Sequence, residues 1–190
     1  MRVAPIGLLY YDEPDRLRVV AYAQSRITHA HPLGVEGAAL QAYAVALAVM
    51  ENPRRGLDTK DFLAKLLNFT SNEVYRRKLR LAGELLAGNV DPRGVIKVLG
   101  NGVEAFNSVP TAIYCFLKNH KSFRETVIYT VSLGGDTDTI AAMAGAISGA
   151  YHGLETIPAE WLERLERRSY IEGLAEQLWR LKELGLGNKN

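Results

Sequence analysis

Apolar residues recur at helical spacing along almost the whole of this chain, and this pattern limits the possible fold more than any other feature. The predicted helices span about residues 12–29, 35–50, 59–67, 72–87, 92–99, 109–118, 123–133, 139–151, 158–166 and 170–184. No convincing strand alternation, and no hairpin dipeptide between apolar runs, interrupts the series. With a hydrophobic content of 47%, the chain can bury a sizeable core. We therefore predict an all-α bundle that forms a single domain over residues 1–190.

The most informative motif is Ser-Leu-Gly-Gly-Asp-Thr-Asp-Thr at residues 132–139, which leads into a small apolar stretch. Its carboxylates and hydroxyls are oxygen ligands, which suit Mg²⁺, Ca²⁺ or Mn²⁺ rather than zinc because no Cys or His is interleaved. On a regular helix Asp136 and Asp138 would point to different sides, whereas the preceding glycines allow a turn in which the two carboxylates converge. The motif predicts a metal-binding loop followed by a helix.

A helix cap is the alternative interpretation of this motif, because Asp is favoured at helix starts and a carboxylate suits the positive end of the helix. A cap needs only one acid, however. Burying two like charges a few ångströms apart is costly unless a cation lies between them. The second aspartate therefore favours the metal site.

The run from Ser132 into an Ala/Gly-rich helix resembles the C-terminal metal motif of the ADP-ribosylglycohydrolase family. Further segments fall in the family's order: Met1–Gly7, Thr28–Ala30 with Gly34 and Gly37-Ala38 following, and Gly100–Gly102 leading to Ser108–Tyr114. The stretch 108–117 is most similar to the ADP-ribosylhydrolase 3 branch, which removes ADP-ribose from serine and shortens poly(ADP-ribose). The resemblance spans about residues 1–155 and implies a compact orthogonal helical bundle that hydrolyses ADP-ribosyl linkages.

The resemblance also implies roles for individual residues. Asp136, Asp138 and Thr139 would coordinate a pair of Mg²⁺ ions, with Asp138 bridging both of them. His29 would contact bound ADP-ribose, and Val103 would line the adenine side of the pocket. Without the family, the favoured interpretation of His29 is a histidine at a helix C-terminus that is satisfied by backbone carbonyls. A plain turn between two helices explains Val103 nearly as well as a role in the pocket.

The family's catalytic glutamate and a Thr-Asp-Asp metal cluster lie in an upstream half, and no Thr-Asp-Asp occurs in this sequence. We therefore expect a bundle that is incomplete at its N-terminus, with no catalytic residue in this chain. Met1 would then be an internal start, the start of a truncated isoform or a fragment boundary. Three functions stay open: the C-terminal half of a Mg²⁺-dependent hydrolase, a protein that binds ADP-ribose or metal without turnover, and a helical interaction module.

The charge and composition of the chain limit the classes of partner that we expect. A net charge of +2, from 23 basic and 21 acidic residues, gives no electrostatic reason to expect nucleic-acid or membrane binding. We find no stretch long and apolar enough to span a bilayer and no export signal.

The expected partners are ADP-ribose, ADP-ribosylated proteins, poly(ADP-ribose) and O-acetyl-ADP-ribose. The lone Cys115 is predicted to be buried and inert, which indicates a reducing compartment, and the resemblance implies the nucleus, cytoplasm or mitochondrial matrix.

Overall fold

The computed structural model describes residues 1–185, and within that range all regular structure is helical. The α-helices are α1 Ala4–Leu9, α2 Pro14–Arg26, α3 Pro32–Met50, α4 Thr59–Phe69, α5 Glu73–Ala87, α6 Pro92–Leu99, α7 Ala105–Lys118, α8 Phe123–Ser132, α9 Thr137–His152, α10 Ala159–Glu163 and α11 Arg168–Glu183. Short 3₁₀ helices occupy Pro53–Arg55 and Leu154–Thr156. The all-α prediction is confirmed. The last five positions of the domain predicted over 1–190 lie outside the described residues.

Polar side chains define the starts of several helices. Asp58, Asn72 and Asp91 each accept a hydrogen bond from a backbone amide in the first turn of α4, α5 and α6. The Ser122 hydroxyl does the same for α8, accepting from the amide of Glu125 at 3.2 Å. Each bond satisfies a backbone donor that has no partner inside its own helix. The sequence therefore specifies these boundaries locally.

Two helices, α3 and α7, form the centre of the bundle. α3 contacts α1, α2, α7 and α9, and α7 contacts α3, α5, α8 and α9. Every residue of α7 from Ser108 to Leu117 is buried, and Pro110 is accommodated inside that helix. The Ala-rich α3 allows close approach of its neighbours because its side chains have little bulk. This pair gives the fold a rigid frame.

A buried carboxylate joins three parts of this frame. Glu36 on α3 accepts hydrogen bonds from the Tyr22 hydroxyl of α2 and from the Thr70 hydroxyl after α4. Arg18 lies 3.6 Å from the same carboxylate, and its guanidinium lies 3.9 Å from the centre of the Phe69 ring. A buried charge needs such partners, because an unpaired one would be strongly destabilising. The cluster fixes α2 and the following turn against the start of α3.

The structure corrects two expectations for the first part of the chain. Helix α1 was not predicted, because six residues are too short to show periodicity. Contrary to our expectation, α3 is long and apolar enough to span a bilayer by length and composition alone, but 67% of its most apolar window is buried inside the fold, as in a core helix. The Ala- and Gly-rich helix α9 packs against both α3 and α7, as we expect for a central element, although fewer of its residues are buried than in those two helices.

The C-terminal helices differ from our expectation in their burial. The amphipathic pattern after Gly153 predicts that the apolar side chains of these helices pack inward, and Trp161 and Leu178 are indeed partly buried. Leu165, Leu174 and Leu181 are instead 44%, 46% and 43% exposed, and neither α10 nor α11 contains a buried residue. α11 lies against α1, where Leu178 and Leu8 line a small cavity, and Lys182 of α11 pairs with Asp12. The end of the chain is attached to the bundle rather than built into it.

Candidate functional site

A cavity of about 790 Å³ opens between the turn after α2, the N-terminal half of α3, the loop between α6 and α7, and the start of α9. This volume lies in the range of small-molecule binding sites. Its lining includes the sequence-predicted His29, Val103, Asp136 and Thr139, and also Gly34, Gly37 and Ala38. The fold thus brings residues from distant parts of the chain to one cavity. Asp138 is exposed beside the cavity and does not line it.

The aspartate loop, which we define as residues 133–139, joins α8 to α9. Gly134 and Gly135 adopt φ angles of +69° and +73°, in the left-handed region that favours glycine. The chain then turns into α9, which begins at Thr137. The predicted loop followed by a helix is present.

The aspartates do not serve as helix caps. Asp136 occupies the N-cap position of α9, but its side chain accepts no hydrogen bond from the first turn. Elsewhere in this fold, Asp58 and Asp91 make such bonds from the same position. Asp136 therefore occupies the cap position of α9 without acting as a plain cap.

The two carboxylates interact with one another. A hydrogen bond with Asp136 is the main cause that holds the pKa of Asp138 below its ordinary value, and the Thr139 amide lowers it further. Two neighbouring carboxylates repel each other when both are ionised. A divalent cation between them would remove that repulsion. The two aspartates thus lie next to one another at the start of α9.

His29 stands at the mouth of the cavity, outside α2. Its Nδ1 lies 2.7 Å from the Thr28 hydroxyl, and the Arg2 guanidinium donates to that hydroxyl at 2.5 Å. The His29 ring therefore hydrogen bonds to a side chain and not to backbone carbonyls, contrary to the alternative that we left open. Gly34 lies close by, since a Cβ built there would be 3.6 Å from the His29 Cβ. Both ring and glycine shape this end of the cavity.

Val103 is 75% exposed and forms part of the opposite wall. An apolar side chain that is left in solvent beside a cavity is available to cover a ligand. The Gly100–Glu104 loop that carries it begins at Gly100, which has a φ of +85°. The loop is thus a turn, as the alternative interpretation had it, but it is a turn that lines the cavity.

Gln41 and Arg2 are among the polar residues of this site that sequence reasoning missed. Gln41 on α3 lines the cavity floor, and its Nε2 donates to the Met143 carbonyl of α9 at 3.0 Å. Arg2 lines the rim near His29. The signal for Gln41 was a single amide within the apolar run of α3, and we found none for Arg2. Together they place a cationic group at the rim and an amide at the floor.

A hard divalent cation fits the donors that the aspartate loop offers. Asp136, Asp138 and Thr139 provide oxygen atoms, and neither Cys nor His is among these residues. Across residues 1–185 there is no group of three or more His, Cys, Asp or Glu side chains placed to hold a metal. The loop is therefore a partial ligand set, to be completed by water, by a ligand or by further protein groups.

Comparison with known proteins identifies the family. A family model described as ADP-ribosylglycohydrolase matches residues 1–186. The chain belongs to the ADP-ribosylglycohydrolase family. It is 40% identical over 211 residues to the ADP-ribosylhydrolase ARH3 of Mus musculus, covering 95% of this chain and 55% of that protein. The corresponding values are 39% over 210 residues for the Homo sapiens ARH3, covering 95% and 56%.

A microbial protein gives a similar match. A protein of Archaeoglobus fulgidus, described as uncharacterized, is 34% identical over 183 residues, covering 95% of this chain and 57% of its own length. The chain thus spans little more than half the length of these ADP-ribosylglycohydrolase relatives. The resemblance to this family and the all-α fold are both confirmed.

Proposed function

We propose that this chain acts in the Mg²⁺-dependent hydrolysis of ADP-ribosyl linkages, receiving ADP-ribose in the cavity and holding Mg²⁺ at the aspartate loop. The observation that carries the proposal is that His29 and the uncapped carboxylate of Asp136 line one cavity of about 790 Å³. The name ADP-ribosylhydrolase of the animal relatives supplies the substrate class. Serine-linked ADP-ribose, poly(ADP-ribose) and O-acetyl-ADP-ribose are the substrates that we propose.

Mg²⁺, when bound, would orient the ribose hydroxyls and neutralise charge that develops as the glycosidic bond breaks. Asp136 and Thr139 would face the ligand, and Asp138 would bridge two ions. Mg²⁺ keeps several ligands as water or substrate oxygens, so these three side chains do not fill its coordination sphere. His29 would donate a hydrogen bond to a ribose or phosphate oxygen, and Val103 would cover the adenine.

We assign no general acid or base to this chain. Binding of ADP-ribose without turnover is therefore the second candidate function, and the partial ligand set of the aspartate loop favours it. In that case the cavity would recognise ADP-ribose on a modified protein. Binding would protect the ADP-ribose from removal or recruit the modified protein. A helical module without ligand is the third candidate, and the same experiment separates it from the other two.

The test measures ADP-ribose binding by calorimetry with Mg²⁺ and with EDTA, and ADP-ribose release from a serine-ADP-ribosylated peptide. We expect saturable, Mg²⁺-dependent binding that the Asp138→Ala variant loses. Asp91→Ala is the matched control, because Asp91 caps α6 and does not line the cavity. Release by the wild-type chain would identify a complete hydrolase, whereas binding without release would identify a binder. Binding that survives EDTA and Asp138→Ala would overturn the proposed metal site.

For its location, we propose a reducing compartment such as the nucleus, cytoplasm or mitochondrial matrix. Cys115 supports this proposal, because the thiol is fully buried and unpaired. Imaging of the tagged chain together with markers for these compartments would test it.

A further inference from the structure

We propose that Asn101 is a positioning residue that holds the aspartate loop in the arrangement needed for cation binding. The inference rests on the proposed function, because the cation is the ligand whose binding Asn101 would support. Asn101 itself does not line the cavity. It would act through the backbone on either side of the two glycines.

Asn101 bonds to both ends of the glycine pair. Its side-chain Nδ2 donates to the carbonyl of Leu133 at 3.0 Å, and its backbone oxygen accepts from the amide of Asp136 at 2.8 Å. The first bond fixes the chain before the glycines, and the second fixes it where the carboxylates begin. One residue therefore sets the path of the loop between these two points.

The contact is also tight. A Cβ built on Gly135 would overlap the Asn101 backbone oxygen and lie 2.6 Å from its Cγ. On Gly134 the nearest such atom, the Asn101 Nδ2, is 4.0 Å away. The aspartate loop thus rests directly on residue 101 at Gly135. Two consecutive glycines would otherwise sample many conformations, and cation binding would have to offset the lost entropy.

Asn101 can hold the loop because the core holds the segment around it. The Thr111 hydroxyl of α7 donates to the Gly100 carbonyl at 2.7 Å. On the α5 side, the Lys78 ammonium donates to the Leu99 carbonyl at 2.7 Å and to the Asn107 Oδ1 at 3.1 Å. The aspartate loop is therefore connected through Asn101 to two core helices.

The test measures Mn²⁺ affinity by electron paramagnetic resonance, with Mn²⁺ as the probe for the Mg²⁺ site. Removing a residue that supports metal ligands lowers affinity by about tenfold or more, and we expect this for Asn101→Ala. Asn107→Ala is the matched control: it removes an asparagine that anchors the same segment but does not touch the aspartate loop. We expect it to retain wild-type affinity, and Asp138→Ala to lose binding.

A second measurement separates a local effect from misfolding. In the wild-type chain the Asp136 amide should be protected from hydrogen exchange, and Asn101→Ala should speed its exchange while the amides of α3 and α7 stay protected. Asn101→Ser, which cannot reach Leu133, should behave like Asn101→Ala. Circular dichroism melting curves of these variants report whether each one is folded.

The outcomes distinguish the inference from the proposed function. Wild-type Mn²⁺ affinity in folded Asn101→Ala would overturn the role of the Asn101 side chain while leaving the cation site intact. Unchanged exchange of the Asp136 amide would do the same, because the backbone oxygen of residue 101, which alanine retains, would then hold the loop without the bond to Leu133. A wild-type chain that binds no Mn²⁺ would overturn the cation site, and with it the role of Asn101 in cation binding. If Asn107→Ala weakened Mn²⁺ binding as much as Asn101→Ala does, the loss would come from the whole segment, and the specific role of Asn101 would be overturned.

Discussion

At the scale of single residues, the aspartate loop depends on two glycines whose surroundings differ. Both have positive φ angles, but only Gly135 lies against another segment of the chain. The sequence was sufficient to predict that the glycines turn the chain and that a helix follows. It was not sufficient to predict Asn101, which is separated from Leu133 by 32 positions and contributes a backbone oxygen that no residue type reveals.

The first prediction compares these two glycines. Gly134→Ala introduces only the cost of a left-handed conformation, about 1–2 kcal/mol in the free energy of unfolding. Gly135→Ala adds a clash with Asn101, which we expect to cost about a further 1–3 kcal/mol and to weaken Mn²⁺ binding. Urea unfolding of both variants gives the comparison. Equal losses of stability would mean that the contact with Asn101 has no energetic weight.

A second residue-scale prediction concerns Cys115, whose side chain is fully buried in α7. Burial raises the pKa of its thiol from 9.0 to about 12. At pH 8 the native protein should then contain about a thousandfold less thiolate than a free cysteine, so alkylation by iodoacetamide should be slower by at least that factor. Mass spectrometry follows the reaction, and the chain unfolded in urea is the control. Comparable rates in the native and unfolded chain would contradict the burial.

At the scale of elements, the longer helices followed from their apolar spacing and their caps. The end of α3 at Met50, before Asn52-Pro53, is one example. The start of α7 was predicted four residues late, because Pro110 suggests a boundary although it is tolerated within the buried helix. How helices approach one another was not predictable, since it depends on pairs such as Gly37 and Tyr75 that are far apart in sequence.

The third prediction concerns that pair, which joins α3 to α5 beside the cavity. A Cβ on Gly37 would overlap the Tyr75 hydroxyl, which itself donates to the Leu33 carbonyl at 2.6 Å. Gly37→Ala should therefore be destabilising, and its cost should fall by about 1 kcal/mol in a Tyr75→Phe background, where the hydroxyl is absent. A double-mutant cycle of unfolding free energies measures this coupling. Additive effects would show that the hydroxyl is not the obstacle.

At the scale of the whole molecule, stability is unevenly distributed. The buried side chains belong to segments that end at Tyr151, and the helices beyond Gly153 contribute partly exposed residues. The sequence could not reveal this difference, because the amphipathic pattern of α11 is the same whether its apolar side meets the bundle fully or in part. The periodicity of α11 predicts a helix, and the depth of its burial depends on the surface that it meets.

The fourth prediction follows from this distribution. Deleting residues 157–190 removes the packing of α11 against α1, the Lys182–Asp12 pair and the edge-to-face contact of Trp161 with Phe123. It removes no buried side chain from the described residues. We expect cooperative unfolding to persist, with a loss of about 1–3 kcal/mol. Circular dichroism is the suitable probe, because both tryptophans lie in the deleted segment. A variant without a cooperative transition would show that these helices are part of the core.

The contact between Gly135 and Asn101 also bears on protein engineering. The aspartate loop looks like a short, self-contained cassette in the printed sequence, and grafting it alone onto another helical scaffold would be the natural first attempt. The structure instead makes it one of two segments that act together, because residues 133–139 take their path from the surface of residue 101. A graft would have to carry both segments, with their relative placement preserved, for the transplanted carboxylates to meet.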